Sequence, residues 1–341
     1  MREPRPGVLA KGDGGPLLAA PETDFLQPIR VELEAFELRL HDTVHADLGP
    51  VAEAMEYILA GGGKRLRPAL VILAARLGAP DLEHVFRGAM AIEFIHNATL
   101  IHDDLIDRAP TRRGLRTIHE SLGANPAIII GDYYFARGAN LMSLIGNPRV
   151  DLLLSQTVMS ICYGEMLQLT SQRKYDQSVE EYQDKIERKT AALLAASAYV
   201  GGALAGLDEA EVETLRRYGR LLGMAFQIAD DVLDYLSSER EMGKPVGNDL
   251  KQGTVTLPLM LALKDAAVGP RLERVLSREP LGDGDYAEVV RLVRDSPGIE
   301  ESYELARSFS RQASAELERF PASPYRDALL ELARYVVRRK H

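Results

Sequence analysis

Two acidic segments with matching patterns carry the side chains best suited to chemistry. LIHDDLID at 100–107 and IADDVLD at 228–234 each contain two adjacent aspartates, two further residues and a third aspartate, in apolar surroundings. The six carboxylates belong to Asp103, Asp104, Asp107, Asp230, Asp231 and Asp234. In a helix the first and last aspartate of each triplet share a face, where like charges repel. Carboxylate clusters suit Mg²⁺, which usually takes one or two carboxylates with water and substrate phosphate. Two facing clusters are therefore expected to hold several Mg²⁺ ions around a polyphosphate.

Basic residues near both segments supply the counter-charge. AGGGKRLRPAL at 60–70 has three glycines before Lys64, Arg65 and Arg67, followed by a proline suited to the first turn of a helix. A helix start with flanking cations favours an anion, although the Walker pattern is absent. The other residues that could bind an anion near the acidic segments are Arg112, Arg113, Lys189, Thr190, Gln227, Lys244 and Lys251. Alone, each is ordinarily a solvated side chain or a helix cap. The repeated order of acid then base suits two diphosphates, one bound through metal and one directly.

Helices must position these residues, because the apolar spacing beyond residue 25 is mostly three and four residues. Runs typical of strands are scarce. The best strand candidate, PAIIIGDYYF from position 126, opens on proline and continues at helical spacing, which favours a helix. No linker is evident in 25–341, so the sequence predicts one all-α domain, a bundle of ten or more helices. The segment 1–24, with four prolines and four glycines, is predicted to be a disordered leader.

Composition excludes several functional classes. A net charge of −9 argues against a nucleic-acid binder, because no basic surplus is available for a phosphate backbone. The most apolar run, at 190–207, is rich in Ala and Gly and predicts a buried helix, not a membrane span. The single cysteine, Cys162, rules out an intramolecular disulfide and is expected to be a small core residue in a reducing, cytoplasmic setting.

The motifs GGKRLRP, HDDLID with RRG, KT, FQIADDVLD and GKPVGNDLKQGTVTLPL occur in this order along the chain. Residue for residue, the chain from about 30 to 341 resembles the all-trans isoprenyl diphosphate synthases, the polyprenyl synthetase family. The resemblance implies the isoprenoid synthase fold, an all-α bundle around a deep central cavity, and a homodimer. It also implies an enzyme that joins isopentenyl diphosphate to an allylic diphosphate and lengthens the product by one isoprene unit per cycle.

The resemblance also implies a role for each motif residue. Three Mg²⁺ ions, which Mn²⁺ could replace, would be bound mainly by Asp103, Asp107 and Asp230. Asp104, Asp231 and Asp234 would support them, and Lys189 would complete the catalytic set. Isopentenyl diphosphate would be held by Lys64, Arg67, His96 and Arg113. The allylic diphosphate would be held by Arg112, Lys189, Thr190, Gln227 and Lys244. His96 is included because it lies seven residues before Asp103, as in the family pattern.

Product length is expected to depend on the helix before the first triplet. Short-product members of the family commonly place bulky aromatic residues at the positions of Ala98 and Thr99. Because both residues are small here, the resemblance favours a long-chain product of six to ten isoprene units, stopped farther on by Leu141, Met142 or Ile145. The alternatives are a farnesyl or geranylgeranyl diphosphate synthase, or a tunnel floor set by neighbouring helices against which Ala98 merely packs.

Three other functions fit the sequence less well. A terpene cyclase needs Asn or Asp, Ser or Thr, and Glu at four-residue steps, whereas the residues four and eight positions after Asp230 are Asp234 and Ser238. A His-Asp phosphohydrolase would use His102 beside Asp103, but it would leave the second triplet unexplained. A non-catalytic subunit of a heteromeric synthase would typically have lost the aspartate motifs, and both are intact.

Overall fold

The computed structural model describes residues 21–45, 49–236, 247–278 and 280–338. Of the predicted leader, only Pro21–Asp24 falls in these ranges, at the start of a 3₁₀ helix, Pro21–Ile29. Lys244 lies outside them. The helices are α1 (Arg30–His45), α2 (Gly49–Ala60), α3 (Leu66–Ala75), α4 (Leu82–Ile106), α5 (Ile118–Leu122), α6 (Ala124–Ser143), α7 (Pro148–Thr170), α8 (Val179–Ile186), α9 (Ala192–Leu204), α10 (Glu209–Leu236), α11 (Asn248–Lys251), α12 (Leu257–Lys264), α13 (Gly269–Leu276), α14 (Asp283–Arg294), α15 (Gly298–Glu316) and α16 (Pro324–Arg338).

The all-α prediction is confirmed, with more than ten α-helices among the described residues. The only strands in these ranges are β1 (Thr111–Arg112) and β2 (Leu115–Arg116), which pair antiparallel as a short hairpin. Packing divides the chain into two compact units. The first contains the described residues up to Ser155 with Ser197–Val212 and Ala322–Ala328, and the second contains the remainder. That 25–341 forms one domain stays a prediction.

In the first unit, α4 packs against α6 in antiparallel orientation. Ile95 on α4 lies against Gly138 on α6, and His102, two turns farther along α4, lies against Gly131, two turns earlier on α6. A Cβ atom at Gly131 would collide with the His102 ring, and one at Gly138 would lie 3.0 Å from Ile95. Glycine therefore allows the two helix backbones to approach closely where the first triplet begins.

In the second unit, the core forms around α8, α10, α12 and α14. Helix α8 begins with a capping box, in which the Ser178 hydroxyl accepts the amide of Glu181 and the Glu181 carboxylate accepts the amide of Ser178. Tyr182 of α8 and Tyr235 of α10 are buried in this core. Between α8 and α9 the chain makes one π-helical turn, Glu187–Ala191, closed by the Ala192 amide bonding the Glu187 carbonyl.

Of two predictions about burial, one is confirmed and one is wrong. The predicted buried helix at 190–207 is confirmed as α9, and in the part of the chain that the structure describes no helix is apolar and long enough to span a membrane. The prediction for Cys162 is wrong, because its side chain is exposed on α7. It lies on an outward stripe with Leu152, Met159, Tyr163 and Met166, which are 54–71% exposed. An outward apolar stripe looks like a core pattern in sequence, since helical spacing does not reveal which face is covered.

Candidate active site

Helix α4 carries the first triplet and presents three faces, set by its 100° step per residue. The α6-facing side includes Ile95 and His102. A second side carries His96, Thr99, Asp103 and Asp107, at spacings of three, four and four residues. Asp107 is the C-cap residue of α4, so this carboxylate and Asp103 stand at the end of the helix. We call His96, Thr99, Asp103 and Asp107 the ligand face of α4.

The third side of α4 carries two buried acids, each paired with an arginine. Glu93, 4% exposed, accepts a hydrogen bond from Arg65 Nη1 at 2.5 Å. Asp104, 6% exposed, accepts from Arg112 Nε at 2.8 Å to each carboxylate oxygen, and Arg112 Nη2 lies 2.7 Å from Oδ1. Burial alone would lower the pKa of the Arg112 guanidinium, but Asp104, Asp103 and Asp107 together raise it. Asp104 therefore holds the Arg112 guanidinium in place beside the other two aspartates of the triplet.

His96, on the ligand face, lies among cations. Arg67 Nη1 is 3.1 Å from His96 Nε2. Because a guanidinium can only donate, Nε2 accepts this bond and the proton of the neutral ring sits on Nδ1. Burial, followed by the positive charges of Arg67, Arg113, Arg112 and Arg65, lowers the pKa of His96 well below its ordinary value. The histidine thus stays neutral at physiological pH and offers one N–H donor within a cluster of arginines.

The glycine loop before α3 is shaped to receive Arg113. The guanidinium of Arg113 donates to the Gly62 carbonyl. Gly62 has φ +63°, and a Cβ atom at Gly63, which has φ +159°, would lie 2.8 Å from Arg113 Nη1. Two glycines are needed here, one for its left-handed backbone and one for the close approach of the arginine. The β1–β2 hairpin delivers Arg112 to Asp104 and Arg113 to this loop.

A small cleft, open to solvent, lies on the Asp104 side of α4 in the first unit. Its polar lining includes Asn97, Asp104, Arg112 and Arg113, and its apolar lining comes from α2, α4 and the hairpin. Tyr57 closes one side, and its hydroxyl donates to the Arg116 carbonyl at 2.8 Å. The cleft thus borders Arg112 and Arg113 on the Asp104 side of α4.

In the second unit, neutral donors hold the middle aspartate of the second triplet. The Tyr182 hydroxyl donates to Asp231 Oδ2 at 2.7 Å, and the Gln227 amide donates to Oδ1 at 2.8 Å. The Thr190 hydroxyl donates in turn to the Gln227 carbonyl oxygen at 2.7 Å. This network joins two residues predicted for the allylic diphosphate to the triplet. Burial, followed by the charge of Asp249, raises the pKa of Asp231 to about 7.

Asp234, the last residue of the triplet, is held by backbone. Its Oδ1 accepts the Asn248 amide at 3.2 Å and its Oδ2 accepts the Asp249 amide at 3.3 Å. Burial and the nearby Asp249 carboxylate raise its pKa to about 8. Asp249, which the sequence analysis gave no role, is therefore a fourth carboxylate beside the second triplet. Asp249 lies within the motif GKPVGNDLKQGTVTLPL, and this motif is the sequence signal that could have identified it.

Lys189 and Thr190 lie on the π-helical turn. π-Turns are often found at functional sites, because they push one residue out of the regular helical register. The Lys189 ammonium pairs with the Glu165 carboxylate on α7. Close approach of α7 is permitted by Gly164, where a Cβ atom would lie 2.6 Å from the Lys189 amide nitrogen. Glu165 was missed from the sequence because a lone glutamate on a helix carries no pattern.

The oxygen donors suit the Mg²⁺ that the resemblance implies. Asp103 and Asp107 stand one turn apart, whereas Asp104 faces Arg112 and Asp234 faces backbone amides. Across 21–45, 49–236, 247–278 and 280–338, no three acidic, histidine or cysteine side chains form a ready-made metal site. Mg²⁺ bound by one or two carboxylates, with water and diphosphate as further ligands, requires no such group. The donor set therefore fits the ion.

The two predicted chain-length residues differ in their surroundings. Ala98 is fully buried, and its spacing of three and four residues from Ile95 and His102 puts it on the side of α4 that contacts α6. Thr99 is partly exposed on the ligand face, and its hydroxyl donates to the His96 carbonyl at 2.7 Å. The burial of Ala98 favours the alternative in which this residue packs against a neighbouring helix. Thr99 remains the better candidate for a residue that meets the product.

Comparison with known proteins places this geometry in a family. The polyprenyl synthetase family model matches residues 50–293. Heptaprenyl diphosphate synthase component 2 of Geobacillus stearothermophilus is 40% identical over 317 residues, covering 91% of this chain and 96% of that protein. Octaprenyl diphosphate synthase of Escherichia coli (strain K12) is 36% identical over 301 residues, 87% and 93% of the two chains. The crystal structure of polyprenyl synthase from Caulobacter crescentus CB15, complexed with calcium and isoprenyl diphosphate, matches with a TM-score of 0.88 at 35% identity, covering 96% and 99% of the chains. The chain belongs to the polyprenyl synthetase family.

Proposed function

We propose that this prenyltransferase condenses isopentenyl diphosphate with an allylic diphosphate to give a long all-trans polyprenyl diphosphate. The observation that carries the proposal is the cluster of Arg67, Arg112 and Arg113 around neutral His96, on the helix face that also bears Asp103 and Asp107. Cations beside carboxylates at a helix end suit diphosphate bound both directly and through a divalent ion.

Asp103, Asp107 and Asp230 would hold Mg²⁺, with three ions expected and Mn²⁺ as a substitute. When bound, the ions neutralise the charge that develops on departing pyrophosphate. Calcium in the Caulobacter crescentus structure supports a divalent cation in this family. Asp104, Asp231 and Asp234 would keep their neighbours in position, because all three are already engaged by Arg112, Tyr182 and the α11 amides.

The two substrates would be held by different basic sets. Lys64, Arg67, His96 and Arg113 would bind isopentenyl diphosphate. Arg112, Lys189, Thr190, Gln227 and Lys244 would bind the allylic diphosphate. Arg112 uses Nε and Nη2 toward Asp104, and a guanidinium with five donors can still donate to a diphosphate oxygen. His96 would donate from Nδ1 while Nε2 accepts from Arg67.

In the reaction, the C–O bond of the allylic diphosphate breaks and pyrophosphate leaves with the electron pair. The double bond of isopentenyl diphosphate supplies the electrons of the new C–C bond, and a proton is then lost from the adjacent carbon. Departing pyrophosphate would accept that proton. Arg112 and Lys189 would stabilise the pyrophosphate that leaves, and apolar helix surfaces would exclude water from the allylic cation.

A long product is supported by two of the relatives, which are named heptaprenyl and octaprenyl diphosphate synthases. The small, partly exposed Thr99, one turn before Asp103, supports it independently. The short-chain alternative, a farnesyl or geranylgeranyl diphosphate synthase, requires a bulky side chain on this path. We expect Thr99→Phe to shorten the products while preserving the first condensation. Ala98→Phe should chiefly lower the free energy of unfolding, because overpacking a full core costs about 1–3 kcal/mol.

We also propose a homodimer in a cytoplasmic, reducing setting. The stripe of Leu152, Met159, Tyr163 and Met166 on α7 is a row of exposed apolar side chains, and exposed apolar patches often mark protein interfaces. A second copy of the chain would cover it. Light scattering should give twice the chain mass, and Met159→Lys should reduce it to the monomer. The relative named component 2 suggests the competing outcome, in which the pure chain stays monomeric until a different subunit is added.

The activity is tested with labelled isopentenyl diphosphate, farnesyl diphosphate as the allylic primer, and Mg²⁺. Dephosphorylated products are sized by chromatography, in parallel with samples that contain EDTA. We expect linear products of six to ten isoprene units and none with EDTA. A cyclic hydrocarbon would point to a cyclase, phosphate release without chain growth to a phosphohydrolase, and a geranylgeranyl end point to the short-chain alternative.

A further inference from the structure

Arg65 lies between two residues proposed to bind isopentenyl diphosphate, yet it is buried. Lys64 is exposed and Arg67 partly exposed, whereas Arg65 is only 7% exposed. Arg65 Nε donates to Glu37 Oε1 at 2.7 Å, Nη2 approaches Glu37 Oε2 at 3.4 Å, and Nη1 donates to Glu93 Oε1 at 2.5 Å. The guanidinium is thus enclosed by two carboxylates from α1 and α4, which makes it a poor ligand for a further anion.

The backbone at Arg65 points to the same conclusion. Arg65 is the N-cap residue of α3 and has φ 46° and ψ 32°, a left-handed conformation. Such a conformation is strained for a non-glycine residue. Three glycines precede it in the same loop, but this position keeps a long side chain. Strained backbone persists where the surroundings over-determine it, and here the bonds to Glu37 and Glu93 do so.

The contact with Glu93 links Arg65 to the ligand face. Glu93 is three residues before His96 on α4, and His96 accepts a hydrogen bond from Arg67, two residues after Arg65. The loop and the first turn of α3 are therefore attached to α4 at two adjacent points, Arg65 to Glu93 and Arg67 to His96. Releasing the first would let Lys64 and Arg67 move relative to His96.

We infer that Arg65 is a positioning residue for isopentenyl diphosphate. It sets where Lys64 and Arg67 stand by anchoring their loop to Glu37 and Glu93, and it does not contact the substrate. This inference rests on the proposed function. Wild-type condensation is therefore measured first, and its absence would remove the proposed function before any Arg65 variant is considered.

Arg65→Gly and Arg65→Gln separate the anchor from the backbone. Glycine adopts the left-handed conformation without strain, so Arg65→Gly preserves the turn and removes only the side chain. We expect both variants to raise the KM for isopentenyl diphosphate about 10- to 100-fold, since displacement of a binding group by about 1 Å has effects of this size. The KM for the allylic diphosphate should change less than about twofold, and Arg65→Lys should partly restore the wild-type value.

The matched control is Arg76→Gln. Arg76 follows the other end of α3 and pairs with Glu32 of α1, with Nε at 2.9 Å from Oε1. It therefore joins α3 to α1, as the Arg65–Glu37 pair does, but at the end of α3 far from the loop. Arg76→Gln should lower the melting temperature without raising the KM for isopentenyl diphosphate. Glu37→Gln keeps an acceptor for Arg65 and provides a milder variant if Arg65→Gln does not fold, with an expected rise in the same KM.

The inference is overturned if folded Arg65→Gly or Glu37→Gln binds isopentenyl diphosphate with wild-type KM. It is also overturned if Arg76→Gln and the Arg65 variants raise both KM values alike, because a general loss of structure would explain that result. The Arg65 variants could instead raise the KM for both substrates while Arg76→Gln leaves both KM values unchanged. Arg65 would then position the whole site, and this result would also contradict a selective role for isopentenyl diphosphate.

Discussion

The two aspartate triplets share a sequence pattern but differ in what holds their middle residue. Asp104 faces the guanidinium of Arg112, a full positive charge supplied by the same unit of the fold. Asp231 is 3% exposed and is held by the Tyr182 hydroxyl and the Gln227 amide, which carry no charge. The middle residue of the first triplet is thus bonded directly to a counter-charge, whereas that of the second is bonded to neutral donors and meets the charge of Lys185 only through space. Similar motifs in sequence therefore need not be electrostatically equivalent.

The pKa values follow this difference. Burial and Asp249 raise the pKa of Asp231 to about 7 and that of Asp234 to about 8, so the second triplet resists full ionisation without a bound cation. The second triplet should therefore gain more from a divalent ion than the first. Four expected outcomes test or sharpen this comparison.

The largest effect is expected from the metal ligands. Asp103→Ala and Asp230→Ala should each lower kcat/KM by more than about 100-fold, because loss of an outer-shell contact alone costs about 10–100-fold. Initial rates over a Mg²⁺ titration measure this, and Asp42→Ala, at an exposed position of α1, is the control. Near-normal turnover of either variant in excess Mg²⁺ would refute the metal assignment.

Next in size is a division between the substrates. Lys64→Ala should raise mainly the KM for isopentenyl diphosphate, and Lys189→Ala mainly that for the allylic diphosphate. Bonds between charged groups contribute about 1.5–3 kcal/mol, which corresponds to about a 10- to 100-fold change. Lys174→Ala, whose exposed ammonium pairs with Glu181, should change neither. Equal increases in both KM values in both variants would contradict the assignment of the two basic sets to different substrates.

The comparison itself is tested by neutral replacements of the two middle aspartates. Asp104→Asn leaves Arg112 without its carboxylate and should lower the free energy of unfolding by about 1–3 kcal/mol. Asp231→Asn should cost less, because it removes a charge that burial already disfavours. Denaturant unfolding with EDTA at about pH 8 measures both. A greater loss of unfolding free energy in Asp231→Asn than in Asp104→Asn would contradict the proposed electrostatic difference between the two triplets.

The smallest effects concern pH. The folded-state pKa of Asp231 lies above the ordinary 3.8, so its contribution to stability is present at low pH and is lost as pH rises through about 7. The pKa of His96 lies below the ordinary 6.5, so its contribution is lost as pH falls below that value. In EDTA, Asp231→Asn should weaken the fall in melting temperature as pH rises from about 4 to about 7, and His96→Gln should weaken the fall as pH drops below about 6.5. Unchanged pH profiles would contradict these assignments.

The sequence predicted the parts of the site that have a pattern. The triplets, the GGKRLRP segment and the helical spacing indicated the family and the all-α fold, and both are confirmed. The partners that support these motifs were not predicted. Glu93 lies 28 residues from Arg65, and Tyr182 lies 49 residues from Asp231, so neither contact has a local signal. A single glutamate or tyrosine within an amphipathic helix looks the same whether or not it holds a functional residue.

The π-helical turn at Glu187–Ala191 has a consequence for the number of residues between α8 and α9. One residue of an α-helix rotates the chain by about 100°, and the π-turn accommodates one residue more than an α-turn. The π-turn thus absorbs the rotation that one extra residue would otherwise cause. Deleting that residue would let the turn become regular with α8 and α9 still in register, but it would remove the bulge that displaces Lys189 and Thr190 from regular helical positions. A relative that lacks this residue should therefore keep the packing of Tyr182 on Asp231 but hold the residues at positions 189 and 190 differently, so the extra residue is tied to the site more than to the fold.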